Sequence, residues 1–473
     1  MKRITTGTAE FDLILGGGLP QYSMTIIAGT PGSGKTILAQ QFAFANARPD
    51  APALYLTTLS EPAAKMLRYL QQFSFFDDGK LLGDRPSILY RDIAEAVRDR
   101  GLEALPETVV GLMTEHRPSY LVIDSFKALR DLVAPGPAVR RAMFDLAGNL
   151  AARSCTTLLL GEYSTQDLEV LPEFTIADGI IQLVNRPYGT RDERYLRVHK
   201  LRGSSYLAGE HAFRIMGHGL EIFPRLVTPV QAAAYAASAE QISSGVAGLD
   251  RMFNGGLRRG SSTLVVGSAG CGKTLLGMHF LFAGVAAGEQ VLLVSFQENP
   301  TLLRHLLTGL GWNLDELGEH GHLTALYVSP VEMNIDEIVQ RILAAMEARP
   351  IRRVVIDSLG DLEAASMDPQ RFRSYVYSLM QLFAVRGVTA YATYEAVVDP
   401  DFASFTRMGA SYISDNVIAL RYSVEVGAIP QGRIIRTLAV VKCRGSAHDN
   451  WIRQMTIGTD GIEVDGAPPK AGG

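Results

Sequence analysis

The sequence predicts two tandem α/β domains, each a mostly parallel sheet flanked by helices. Three observations predict it. The 473-residue chain repeats itself, with Ile4–Ala45 lying on Ile242–Ala283 without a gap. Within each half, short apolar or β-branched runs alternate with helical stretches, the pattern of a parallel sheet covered on both faces. A glycine-rich segment separates the first strand-like run of each half from its first helix.

The elements follow in order. Thr25–Ala28 and Thr263–Val266 read as buried strands, and Ile37–Ala47 and Leu275–Ala287 as the helices after them. Leu54–Thr58 and Val291–Ser295 are the next strands, leading into helices over Ala63–Phe73 and Thr301–Leu310. Tyr120–Ile123 and Val354–Ile356 are apolar enough to be central strands, and Thr156–Leu160 and Thr389–Thr393 follow further helices. Gly179–Val198 and Val417–Val441 each read as two strands around a polar turn, which predicts a hairpin at one edge of each sheet. The expected domains are residues 1–228 and 240–473, joined by an Ala-rich linker over 229–239.

Composition narrows the class. Apolar content of 47% and charged content of 20% describe an ordinary globular chain. A net charge of −4 offers no bulk basic field for nucleic acid. Cys155, Cys271 and Cys443 are far apart and form no CxxC, which argues against zinc and disulfides and fits the reducing cytoplasm. No apolar run approaches the roughly 18 residues of a membrane span, and Met1-Lys2-Arg3-Ile4 opens no signal peptide.

The glycine-rich segments carry the chemistry. Gly29-Thr30-Pro31-Gly32-Ser33-Gly34-Lys35-Thr36 fits G-x-x-x-x-G-K-[ST], and Gly267-Ser268-Ala269-Gly270-Cys271-Gly272-Lys273-Thr274 fits it again. In such a loop successive N–H groups turn inward around phosphate oxygens, and the following helix presents its positive end to the same anion. Lys35 and Lys273 are placed to reach the β- and γ-phosphates, and Thr36 and Thr274 to ligate Mg²⁺. Cys271 is read as contributing its backbone. Asp124 and Asp357 each end an apolar run, which places a carboxylate at the ligand-binding edge of an α/β sheet, where it can hold a magnesium water. Ser after each aspartate also allows a helix N-cap there.

Two further patterns repeat. Gly7, Asp12 and Gly17-Gly18-Leu19 answer Gly245, Asp250 and Gly255-Gly256-Leu257. Lys200-Leu201-Arg202-Gly203-Ser204 answers Lys442-Cys443-Arg444-Gly445-Ser446. With the double phosphate loop, these make the chain resemble the KaiC branch of the RecA-like ATPases, from about residue 2 to about residue 464. The resemblance implies two RecA-like P-loop NTPase domains, ATP and Mg²⁺ as ligands, and a two-tiered homohexameric ring with ATP between subunits. It also implies that Lys200 and Arg202, like Lys442 and Arg444, reach the γ-phosphate bound by a neighbour.

The resemblance also places two adjacent glutamates after the second strand. The second half has Gln297 and Glu298 there; the first has Leu59 and Ser60, with Glu61 one residue late. Unequal sites are therefore expected, with hydrolysis concentrated in the second. Clock members of the family autophosphorylate a Ser-Thr pair, aligned here with Ser411-Tyr412, so an autokinase activity is a finer expectation, with Thr406 and Ser414 as neighbouring acceptors. The chain ends soon after Val464, without the long tail of the clock proteins, which argues against partner docking at such a tail. The functional expectation is an oligomeric ATPase working as a signalling switch with a protein partner. The alternatives are a DNA-acting motor or recombinase accessory, and a nucleotide-gated scaffold with little turnover. The loop candidates Lys127–Gly136 and Leu359–Asp368 carry mixed and acidic charge, which disfavours the motor.

Overall fold

The computed structural model describes residues 2–58, 63–82, 85–93, 95, 99–101, 104–131, 137–189, 191–228, 238–297, 300–308, 322–329, 331–366, 368–398, 414–425 and 433–465. They form two compact units, Met1–Arg225 and Leu226–Gly473. Most of the expected linker, residues 229–237, lies outside the described residues. Before it, Leu226 and Thr228 are held on the second unit, where the Leu226 N–H meets the Tyr375 hydroxyl at 3.3 Å and Thr228 and Ser378 share a hydrogen bond.

The repeated Gly–Asp pattern is a clasp. In the first unit β1 (Arg3–Ile4) pairs antiparallel with β2 (Leu19–Pro20). The Asp12 carboxylate ties the turn between them, accepting from the Thr6 N–H at 2.7 Å and the Thr5 hydroxyl at 2.6 Å. Asp250 does the same with the Ser244 N–H and the Ser243 hydroxyl in the second unit. Gly18 and Gly256 sit at φ +108° and +128°, and a Cβ on either would strike the carbonyl of Ile4 or Ile242.

Strand alternation then builds two apolar layers. In β3 (Met24–Gly29), Ile26 and Ala28 face one layer and Ile27 the other. In β4 (Ala53–Thr57), Leu54 and Leu56 are split from Tyr55. The remaining strands are β5 (Ile88–Asp92), β6 (Tyr120–Asp124), β7 (Thr156–Gly161), β8 (Gly179–Tyr188), β9 (Arg191–Leu201), β10 (Glu210–Met216) and β11 (Gly219–Phe223). Helix Lys35–Asn46 covers one face through Leu38, Ala39 and Phe42. Helices Leu105–His116 and Pro137–Ala152 cover the other through Val109, Met113, Leu146 and Leu150. The described strands of the first sheet run in the order β11-β10-β9-β8-β3-β7-β6-β4-β5, parallel from β8 to β5.

The second unit repeats this path with β12 (Gln241–Ile242), β13 (Leu257–Arg258), β14 (Ser262–Gly267), β15 (Gln290–Ser295), β16 (Leu323–Tyr327), β17 (Ile351–Asp357), β18 (Thr389–Glu395), β19 (Asn416–Glu425), β20 (Arg433–Cys443), β21 (Arg453–Gly458) and β22 (Gly461–Val464). Its sheet order, β22-β21-β20-β19-β14-β18-β17-β15-β16, matches the first strand for strand. The chain thus has two mostly parallel sheets flanked by helices, as the sequence predicts. The edge-hairpin expectation needs correction. β8 and β9 do pair antiparallel, but β9 carries β10 and β11 beyond it, and β20 carries β21 and β22. The free ladder of β9 is satisfied by further strands, so the hairpin lies inside the sheet. Among the described residues, no helix is long and apolar enough to cross a membrane.

One buried ion pair anchors the second unit. Arg353 is 2% exposed; it donates to the Glu289 carboxylate and, at 2.7 and 3.0 Å, to the carbonyls of Ser243 and Phe280. Arg353→Ala leaves the Ser243 and Phe280 carbonyls without this donor and Glu289 with Arg259 alone. A loss of about 3–5 kcal/mol is expected, read as a lowered urea midpoint. Burial would raise the Glu289 carboxyl, but hydrogen bonds from Arg353 and Arg259 outweigh it and hold the group below the ordinary 4.5. A depressed acid stabilises the fold above its unfolded pKa. That contribution is therefore expected to fade as pH drops below 4.5, and the fading to be smaller in the Arg353 variant, where Arg259 alone holds the carboxylate.

Candidate functional site

Both phosphate loops leave a buried strand and open a helix. Gly34 and Gly272 sit at φ +97° and +106° at the helix start, a backbone that L side chains resist. That conformation aims the first helical N–H groups back into the loop. Lys35 Nζ donates to the carbonyls of Gly29 and Thr30 at 3.1 and 2.8 Å. Lys273 Nζ donates to those of Gly267 and Ser268 at 3.0 and 2.9 Å. Both lysines are buried. Desolvation pulls the Lys35 ammonium down from its ordinary pKa, opposed by Glu162 and then Asp124. Each loop borders a cavity, about 490 Å³ in the first unit and about 520 Å³ in the second. Ile215 walls the first and Ile457 the second, both from the strands beyond the hairpin. The Cys271 side chain is buried, and its Sγ packs beneath Gly267.

The paired aspartates stand beside the loops. Thr36 Oγ1 donates to Asp124 Oδ2 at 2.8 Å, and Thr274 Oγ1 to Asp357 Oδ2 at 2.7 Å. Neither aspartate caps a helix. In the first unit that task falls to Ser125, whose Oγ accepts from the Ala128 N–H. The Tyr55 hydroxyl also donates to Asp124 at 2.8 Å, while Thr393 donates to Asp357. Burial pushes the Asp124 carboxyl up, and the hydrogen bonds from Thr36 and Tyr55, then the Lys35 charge, pull it back. Hydroxyl and carboxylate oxygens are hard donors, and a divalent cation is the charge that a partly buried carboxylate lacks, so Thr36–Asp124 and Thr274–Asp357 fit Mg²⁺.

The Lys-x-Arg pairs lie elsewhere. β8 runs parallel to β3 with Thr25 opposite Gly179 and Gly29 opposite Leu183. β9 returns antiparallel, with Gly179 opposite Leu201. Lys200 and Arg202 therefore stand at the strand-start end of the sheet. At roughly 3.3 Å per residue, Gly29 lies about 13 Å farther along. Lys200 Nζ donates to the carbonyls of Phe174 and Thr175, and Arg202 lies 3.5 Å from Asp178. The second unit has the same arrangement. Lys442 donates to the Ser414 carbonyl, and Arg444 lies 3.9 Å from Asp415. The arginine side chains are 58% and 60% exposed. Burial and the neighbouring arginine lower the pKa of each lysine.

Among the carboxylate candidates, Gln297 borders the second cavity, and its amide donates to both oxygens of Asp361 at 3.1 Å. The Ser358 hydroxyl donates to the same carboxylate at 2.6 Å. Asp361, read from sequence as an acidic loop residue, lies instead in the helix Leu359–Ala364, where it orients a residue of the second cavity. Glu61 and Glu298 lie outside the described residues, as do Thr406 and Ser411. Ser414 is buried at the strand-start end, beside Lys442. Sequence reasoning missed Tyr55, Thr393, Glu162 and Glu395. The two glutamates carry a sequence signal, since Glu162 and Glu395 fall at matching places in the repeat.

A family model described as "ATPase: KaiC" matches residues 4–227 and again residues 242–468. The circadian clock oscillator protein KaiC of Parathermosynechococcus lividus is 30% identical over 470 residues, covering 97% of this chain and 84% of that protein. The protein of the same name from Thermostichus vulcanus is 31% identical over 476 residues, covering 98% and 89%. Circadian clock oscillator protein KaiC 1 of Synechocystis sp. is 30% identical over 476 residues, again covering 98% and 89%. The chain belongs to the KaiC family of ATPases and carries the family's domain twice.

Proposed function

We propose that this chain is a Mg²⁺-dependent ATPase that assembles into a two-tiered homohexameric ring and works as a signalling switch in the cytoplasm. The carrying observation is the separation of each Lys-x-Arg pair from the phosphate loop of its own unit. A cation at the strand-start end serves a γ-phosphate only when another copy brings its loop there. Lys35 and Lys273 would hold the phosphates, aided by loop N–H groups, while Thr36–Asp124 and Thr274–Asp357 would hold the metal. Mg²⁺ bound there would neutralise charge on the β- and γ-phosphate oxygens. Lys200, Arg202, Lys442 and Arg444 then stabilise the charge that spreads over the transferring phosphoryl group. The relatives' name, a clock oscillator protein, supports a switch over a motor, and the net charge of −4 supports it too. Autophosphorylation within residues 406–414 is the finer part of this reading, with Ser411 first.

Incubation with γ-labelled ATP, followed by native mass measurement and peptide mass spectrometry, tests it. A sixfold mass with ATP and phosphate release above buffer are expected, with label on Ser411. A monomer in saturating ATP overturns the ring. Tight ATP binding without release favours a scaffold, and an unlabelled 406–414 peptide removes the kinase.

A further inference from the structure

We propose that Glu162 takes the proton from the attacking water at the first nucleotide site, and that Glu395 stands at the equivalent place in the second. The inference rests on the ATPase reading. It answers a gap in it: Leu59 and Ser60 stand where a carboxylate pair is expected, so the first site needs another proton acceptor.

Position comes from the sheet order. β7 lies between β3, which ends in the phosphate loop, and β6, which ends in Asp124. Ala28 pairs with Gly161, so the next residue, Glu162, emerges beside Gly29, between the lysine and the aspartate. In the second unit Gly267 pairs directly with Glu395. Both glutamates border their nucleotide cavities, and Glu395 Oε2 lies 4.0 Å from Lys273 Nζ. Neither carboxylate takes a hydrogen bond among the described residues. Glu162 is close enough to oppose the effect of burial on Lys35.

Electrostatics supplies the second argument. A carboxylate facing a triphosphate opposes its binding, so a site that only bound nucleotide is better without it. The two halves have diverged at Leu59-Ser60 against Gln297-Glu298, yet both keep this carboxylate. Accepting a proton beside a γ-phosphate is work that a carboxylate does and its amide does not. In the step, the water oxygen bonds to the γ-phosphorus and the bond to the bridging oxygen breaks. Its electron pair leaves with ADP. One water proton passes to Glu162 and then to solvent.

The test uses the full chain carrying Lys273→Ala, so that turnover comes from the first loop. Adding Glu162→Gln, close in shape, is expected to cut kcat at least ~10-fold, the low side of general-base effects, with ATP affinity unchanged or tighter. Glu162→Asp is expected to restore part of the rate. Glu61→Gln is expected to leave the rate within about twofold. An unchanged kcat in Glu162→Gln overturns the proposal, as does a loss of ATP binding in step with kcat. If the Lys273→Ala chain releases no more phosphate than a Lys35→Ala, Lys273→Ala chain, the proposal falls while hydrolysis at the second site stands. If the unsubstituted chain releases none, the ATPase reading itself fails.

Discussion

Arg444→Ala is expected to lower phosphate release from the second site by about 10³-fold or more, the range seen when a cationic finger is removed from a phosphoryl-transfer site. ATP binding by the same chain is expected to persist, because Arg444 stands at the far end of the sheet from Lys273. Stability should hardly change. Arg444 is 60% exposed and 3.9 Å from Asp415, and such a surface pair contributes little. The decisive measurement mixes this variant with Lys273→Ala and assembles the two together. An intact loop from one chain then meets an intact finger from the other, and activity is expected to exceed the sum of the separate variants. Activity no greater than that sum would mean that the finger serves its own chain, and the trans arrangement would be wrong. Arg202→Ala with Lys35→Ala makes the same test of the first site.

The fold was legible because its signals are local. A run such as Leu121-Val122-Ile123 needs two apolar faces wherever it goes, and a glycine loop before a helix needs an anion. The placement of the loops and the two aspartates was legible for the same reason: a glycine segment between a buried strand and a helix, and an aspartate that ends an apolar run, are both local signals. Partners supplied by strand order were not legible. Tyr55 and Thr393 reach the paired aspartates from different neighbouring strands, β4 in the first unit and β18 in the second, and no repeat spacing predicts that. Asp361 read as solvent-facing charge because charge alone does not say which amide it meets. The strands β10–β11 and β21–β22 were missed because their apolar content is split by glycine turns. They nevertheless bring Ile215 and Ile457 to the cavities.

Glu298→Gln is expected to lower turnover at the second site by roughly 10²–10⁴-fold, the span for loss of a positioned general base. Glu61→Gln is expected to change total turnover by less than about threefold. The asymmetry follows from the residues beside them. In the second unit, the amide nitrogen of Gln297 is committed to Asp361, itself fixed by Ser358, which leaves the amide oxygen free to orient a water toward a neighbouring base. In the first unit Ala128 is the counterpart of Asp361, and Leu59 and Ser60 provide neither an oriented amide nor a carboxylate. Single-turnover phosphate release in Lys35→Ala and Lys273→Ala backgrounds separates the two sites. Equal losses from Glu61→Gln and Glu298→Gln would sink the asymmetry. The expected inequality would place proton transfer at the first site away from Glu61, as a base at Glu162 requires, and any excess of second-site over first-site turnover would leave the first site's ATP in place for longer between two subunits of the proposed ring.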